Sequence, residues 1–186
     1  MQDYFVDLHI HIGRTQSGRP VKITGARTLT IDRILEEASS RKGMDMIGVI
    51  DCHVSEVLDE LEMLRDEGKV TELAGGGLRF KDVTLILGCE IEVKDQFCQG
   101  PIHVLAYLPT LEKMRTFSDW LSEHVTNNTL STQRFFGQGT DIQYKVKELD
   151  GLFIPAHVFT PFKSVYGVGV KQSITEILDP EFIDAI

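Results

Sequence analysis

Five of the six histidines in this 186-residue chain lie within or just after runs of strand-forming apolar residues. His9 and His11 lie in VDLHIHI, His53 follows MIGVIDC, His103 sits in PIHVLAYL, and His157 follows LFIPA. A buried imidazole without a partner is costly, so several at strand ends need a shared one. Neutral imidazole nitrogen and carboxylate oxygen together suit borderline divalent metals such as zinc, iron and manganese. Residues i and i+2 of a strand face the same way, so His9 and His11 can address one ion. Glu90 follows an apolar strand and Gly88, where a carboxylate can bridge two ions while neutralising part of their charge. The expected ligands are therefore His9, His11, His53, Glu90, His103 and His157. The alternative, core histidines each hydrogen-bonded locally, accounts for any single one more easily than for five at strand ends.

The chemistry such a centre performs is metal-assisted hydrolysis, with a water acidified by the ion as nucleophile. His157, Asp7 or another metal-bound water could handle the leaving-group proton. Asp7 and Asp51 also stand where a carboxylate could orient a neighbouring imidazole. Arg14, Arg27 and Lys163 lie on loops next to the strand ends and suit phosphate oxygens, a solvated surface position being the alternative for each. Cys52, between Asp51 and His53, reads as buried; His124, in an amphipathic helix, reads as exposed.

Strands alternating with helices must position these groups. Residues 4–12 alternate, with Val6, Leu8, Ile10 and Ile12 on one face and Asp7, His9 and His11 on the other. Thr30 is placed to cap a helix carrying Ile31, Ile34, Leu35 and Ala38 and ending near Gly43. A second strand, 46–50, leads to Asp51 and His53, and Ser55 is placed to cap the helix bearing Val57, Leu58, Leu61 and Leu64. Gly75, Gly76 and Gly77 mark a turn. Strands follow at 83–93, with Glu90 and Glu92 on one face, and at 102–108. A helix opens at Thr110, the polar segment 127–140 reads as an exposed loop, and a short helix at 141–149 precedes a strand at 152–156. The pattern predicts an α/β fold with a parallel sheet or barrel and ligands at the carboxyl ends of its strands.

Composition narrows the function. Hydrophobic residues at 42% and charged residues at 25% describe one ordinary globular domain. There is neither a long uncharged apolar run nor a basic leader, so a cytoplasmic protein with no membrane partner is expected. Three cysteines fit neither a zinc ribbon nor a disulfide framework. A formal net charge of −9 argues against a long nucleic-acid track but leaves short phosphorylated substrates open. No Gly-x-x-x-x-Gly-Lys-Ser/Thr loop occurs, which counts against a nucleotide-driven motor.

The ordered motifs also resemble those of a known superfamily. DLHIH at 7–11, DCH at 51–53, GCE at 88–90, IHVLAY around His103 and PAHVF around His157 are similar to the successive motifs of the PHP (polymerase and histidinol phosphatase) phosphoesterases. GRT at 13–15 and PAHVFTPFKSVYG resemble a PHP group whose longer members carry a zinc ribbon. The resemblance implies a distorted seven-stranded α/β barrel, incomplete at the C-terminus here, in the N-terminal part of a longer protein. It implies two or three ions in the complete protein, with His9, His11 and Glu90 serving one and Glu90, His103 and His157 another. It implies hydrolysis of a small phosphorylated substrate, with a nucleic-acid end or a non-catalytic accessory role as rivals. Two features depart from the pattern: no acidic residue follows His11 closely, and no final Asp-x-His pair occurs before Ile186.

Overall fold

The computed structural model describes residues 3–186. Its centre is an eight-stranded mixed sheet built around one long strand. The strands are β1 (Val6–Ile10), β2 (Met46–Val49), β3 (Thr71–Glu72), β4 (Leu78–Phe80), β5 (Val83–Val93), β6 (Ile102–Leu108), β7 (Arg134–Phe135) and β8 (Leu152–Pro155). The helices are α1 (Ile31–Glu37), α2 (Ser55–Asp66), α3 (Leu111–Ser122) and α4 (Gly139–Glu148).

Eleven residues of β5 are long enough to carry two neighbours on each edge. One edge takes β2 and then β7, both parallel; the other takes β4 and then β6, both antiparallel. β1 extends the sheet beyond β2, and β8 extends it beyond β6. The expectation of a parallel sheet therefore holds for β1, β2 and β5 and fails at β6, whose connection to β5 is too short for a crossover helix. The sheet is open, because β1 and β8 share no ladder among the described residues.

Alternation along β5 and β6 separates core from site. Leu85, Leu87, Cys89, Ile91 and Val93, with Ile102, Val104, Ala106 and Leu108, join the main core with the helices' apolar residues. Glu90, Glu92 and His103 are out of phase with them and share the opposite face with Leu105 and Tyr107.

In β1 the alternation breaks. Val6 pairs with Met46 and Asp7 with Ile47, but Ile10 pairs with Val49, so β1 carries one extra residue in a bulge. Val6 is exposed, Leu8 joins the smaller apolar cluster around Ile50, Leu105 and Tyr107, and Ile10 and Ile12 reach the main core. Gly48 is needed opposite this bulge, because a Cβ there would meet the Leu8 carbonyl oxygen at 2.7 Å.

The helices mostly follow their boundary signals. Thr110 accepts from the Lys113 amide at 3.2 Å, and Gly43, at φ 60°, ends the extension of α1 in the left-handed region. Ser55 is the first residue of α2, and Val54 stands at the cap instead. The segment 127–140 is not a simple exposed loop: Ser131 and Phe135 are buried, and β7 pairs with β5. None of the described helices is long and apolar enough to cross a membrane.

Candidate metal centre

His9 and His11 lie at the end of β1, Asp51 and His53 follow β2, Glu90 occupies the carboxyl half of β5, and His157 follows β8. His103 arrives differently. Because β6 runs antiparallel to β5, its amino end lies at the rim where the parallel strands finish, so His103 joins from the start of its strand.

Glu90, 2% exposed, is the hub. Its Oε1 lies 3.0 Å from His103 Nδ1, 3.2 Å from His9 Nε2 and 3.6 Å from His157 Nε2. Its Oε2 accepts a 2.6 Å hydrogen bond from Thr132 Oγ1 and lies 3.5 Å from His11 Nε2. Burial alone would raise the Glu90 pKa, but hydrogen bonds from His103 and His9 hold it well below the carboxylate range. His157 is lowered, first by burial and then by its neighbour His103, which favours the neutral ring that a metal needs. Its φ of 33° puts a non-glycine residue in the left-handed region, a strained conformation of the kind that collects at functional sites.

Among the described residues, one set of three potential ligands has its donor atoms within 4.8 Å of one another: His9, Glu90 and His157. His103 Nε2 is buried without a hydrogen-bond partner, as are Asp51 Oδ1 and His53 Nδ1. A converging set of imidazoles around an ionised carboxylate, with unpartnered buried polar atoms beside it, fits a divalent cation.

The other sequence candidates are distributed unevenly. His11 leans on Asp51, with its Nδ1 3.0 Å from Asp51 Oδ2, which also accepts from the Ile12 amide at 2.8 Å. His53 is buried beside Asp51, and burial lowers its pKa. Asp7 is exposed, and its carboxylate accepts from the His9 backbone at 3.1 Å, not from an imidazole. Lys163 Nζ pairs with Glu92 at 2.9 Å, next to the centre. Arg14 instead donates to the Gly18 carbonyl within its own loop, and Arg27 is exposed with no hydrogen bond or ion pair among the described residues. Cys52 is fully buried, its thiol donating to the Val49 carbonyl and its pKa pushed up to about 12 by burial. His124 is half-buried, stacked on Phe135 just past α3, which corrects the expectation of exposure.

Sequence reasoning missed several contributors. Ser131, Thr132 and Arg134 come from the segment read as exposed; Phe135 was the signal that part of it packs inward. Thr132 has φ 52°, a rare conformation for a β-branched residue, and uses its hydroxyl to hold Glu90. Arg134 and Lys163 both grip Glu92, whose pKa burial would raise but whose hydrogen bonds from these two cations lower. Lys22 reaches the centre from the loop after β1 and left no pattern to find.

No family model matches the chain. The chain is 56% identical over 186 residues to the uncharacterised protein YqxK of Bacillus subtilis, covering all of this chain and 48% of that protein. It thus spans about half the length of that relative. Its structure is similar to endonuclease Q bound to a 27-mer duplex with an abasic lesion at the active site, with 27% identity and a TM-score of 0.72. That likeness covers 94% of this chain and 39% of the endonuclease. A proposed metal-dependent phosphoesterase of Bifidobacterium adolescentis shares the fold at 13% identity and a TM-score of 0.50, over 99% of this chain and 77% of that one. These likenesses show a mixed α/β fold with an open sheet.

Proposed function

We propose that the chain carries a metal-dependent phosphoester hydrolase site, and that its substrate is a phosphodiester of nucleic acid. The observation that carries the first part is the ring of His9, His103 and His157 around the buried Oε1 of Glu90. When bound there, a divalent cation supplies Lewis-acid charge for phosphate oxygens and acidifies a water. The protein's own part is positional. Glu90, His9 and His157 would hold an ion, with His103 beside them, while Thr132 fixes the carboxylate's rotation and Asp51 orients His11. His157 and Asp7 are the proposed proton handlers; a His157 that ligates through the Nε2 facing Glu90 keeps only its other ring nitrogen for that role.

The likeness to endonuclease Q over nearly the whole chain favours nucleic acid over a small phosphomonoester. The net charge of −9 weighs the other way, since this chain supplies no long basic track, although Lys163 and Arg134 put positive charge beside the centre. The reading extends to a cytoplasmic setting, supported by three buried free thiols. It also extends to a longer protein in which further strands close the barrel between β1 and β8, with a zinc ribbon beyond.

The test is turnover by the full chain, chelated and then reloaded with manganese or zinc. Labelled duplexes with and without an abasic site are compared with p-nitrophenyl phosphate. Metal-dependent strand cleavage that is lost in His9→Ala is expected. Cleavage of the monoester alone would restore the small-substrate alternative, and no turnover above the His9→Ala level on any substrate would point to an accessory module.

A further inference from the structure

Glu90 divides the centre into two sides. Its Oε1 faces His9, His103 and His157, whereas its Oε2 faces His11, Thr132 and an amine, the Nζ of Lys22 at 4.0 Å. Lys22 Nζ also lies 3.0 Å from His11 Nε2 and 3.4 Å from Thr132 Oγ1.

The donor chemistry of these groups orders them. An ammonium has three protons to give and no lone pair, so it donates to His11 Nε2. That nitrogen is consequently the acceptor, and the ring proton sits on Nδ1, which donates to Asp51 Oδ2 at 3.0 Å. Asp51 is fully buried and anchored by the Ile12 amide, so this tautomer is built into the fold. The lone pair on Nε2 is the one His11 would offer an ion, and Lys22 occupies it.

The lysine is placed by its backbone. Its amide donates to the Ile12 carbonyl at 2.9 Å, the Val21 amide donates to the Gly13 carbonyl at 3.0 Å, and the buried Val21 accepts from the Ser131 amide at 2.9 Å. The Lys22 side chain is 29% exposed, so its amine lies inside the centre instead of ranging through solvent.

We propose that Lys22 is the resident cation on the Oε2 side of Glu90, standing where a second metal ion would sit between His11 and Glu90. The inference rests on the metal reading of the Oε1 side. It limits the centre to one ion, held by Glu90, His9 and His157, beside a fixed ammonium. A single positive charge replaces a double one there, and it cannot exchange with solvent as an ion can.

Native mass spectrometry of the full chain, chelated and then saturated with zinc, tests this. One ion is expected in the wild type, two in Lys22→Met, which frees the His11 lone pair, and one in Lys22→Arg, which keeps a cation. Nitrogen NMR of the imidazoles gives an independent readout. His11 Nε2 keeps the shift of an unmetallated nitrogen in zinc-loaded wild type and moves to a metal-bound value in Lys22→Met. Two ions in the wild type, or equal counts in wild type and Lys22→Met, would overturn the role of Lys22 while leaving the metal centre standing. A wild type that takes up no ion would sink both.

Discussion

A single carboxylate organises this site, and its two oxygens are not equivalent. Oε1 is surrounded by imidazoles, while Oε2 is held by Thr132. Glu90→Gln keeps the shape but removes the charge and offers an amide where an oxygen faced His9 and His103. Turnover should fall by about 100-fold or more, since loss of a group that merely supports a metal ligand already costs roughly 10–100-fold. The variant should also bind less metal, measured by elemental analysis after dialysis; unchanged metal content would remove Glu90 from the ligand set. The motif residues were legible in the sequence because imidazoles and carboxylates carry their chemistry with them. Lys22 and Thr132 were not, because a lysine on a loop and a threonine in a polar segment have no distinguishing type or spacing. What makes them part of the centre is tertiary: the pairing of 21–22 with 12–13, and a left-handed backbone at Thr132.

Among the elements, α2 shows how burial of a charge couples the site-bearing loop to the helix layer. Glu60 is 7% exposed, and its Oε1 accepts from the Gln16 amide at 2.6 Å, tying α2 to the loop after β1. Burial, with repulsion from Glu56, Asp32 and Asp59, pushes its pKa from 4.5 up to about 7 against the lowering effect of the Gln16 bond. The sign follows from proton counts. Below pH 4.5 both folded and unfolded chains hold the proton; between 4.5 and about 7 only the folded chain does, so stability falls as pH rises and then levels off. Glu60→Gln should flatten that decline and be more stable than wild type above pH 7 by on the order of 1 kcal/mol. Urea midpoints at pH 5 and pH 8 are the measurement, and a wild-type-to-variant difference that is the same at both would refute the assignment. Element identity was readable wherever periodicity was strong, as in β5, β6 and α3. The short strands β3, β4 and β7 escaped because two or three residues hold no period, and the antiparallel turn into β6 escaped because direction is a property of pairing. The bulge in β1 was hidden for a related reason: VDLHIHI alternates perfectly as a string, and the extra residue appears only against β2.

Across the whole molecule, the centre acts as a clasp. The path β1, β2, β5, β6, β8 puts β1 and β8 four spacings apart, about 19 Å in a flat sheet at roughly 4.8 Å per strand. The rings of His9, in β1, and His157, just after β8, are nevertheless 5.8 Å apart. Side chains from the two ends of the path therefore meet over its middle strand, although no ladder joins those ends among the described residues. An ion shared by His9, Glu90 and His157 would join both ends to the middle strand. A ligand that binds only the folded state adds RT ln(1 + [L]/Kd), about 2.7 kcal/mol at a hundredfold excess over Kd. For a chain of this size that corresponds to a rise of about 5–11 °C in melting midpoint. The gain should be uneven. β5 and β6 are flanked on both edges and packed in the main core, whereas β1 and β8 end the path and Val6 and Leu152 are exposed. Chelation should therefore accelerate amide hydrogen exchange in residues 6–10 and 152–158 well before it affects 85–91 or 103–107. Uniform acceleration across all four stretches would mean that the metal stabilises the domain as one unit, and no change in 6–10 or 152–158 would mean that His9 and His157 do not hold an ion between them.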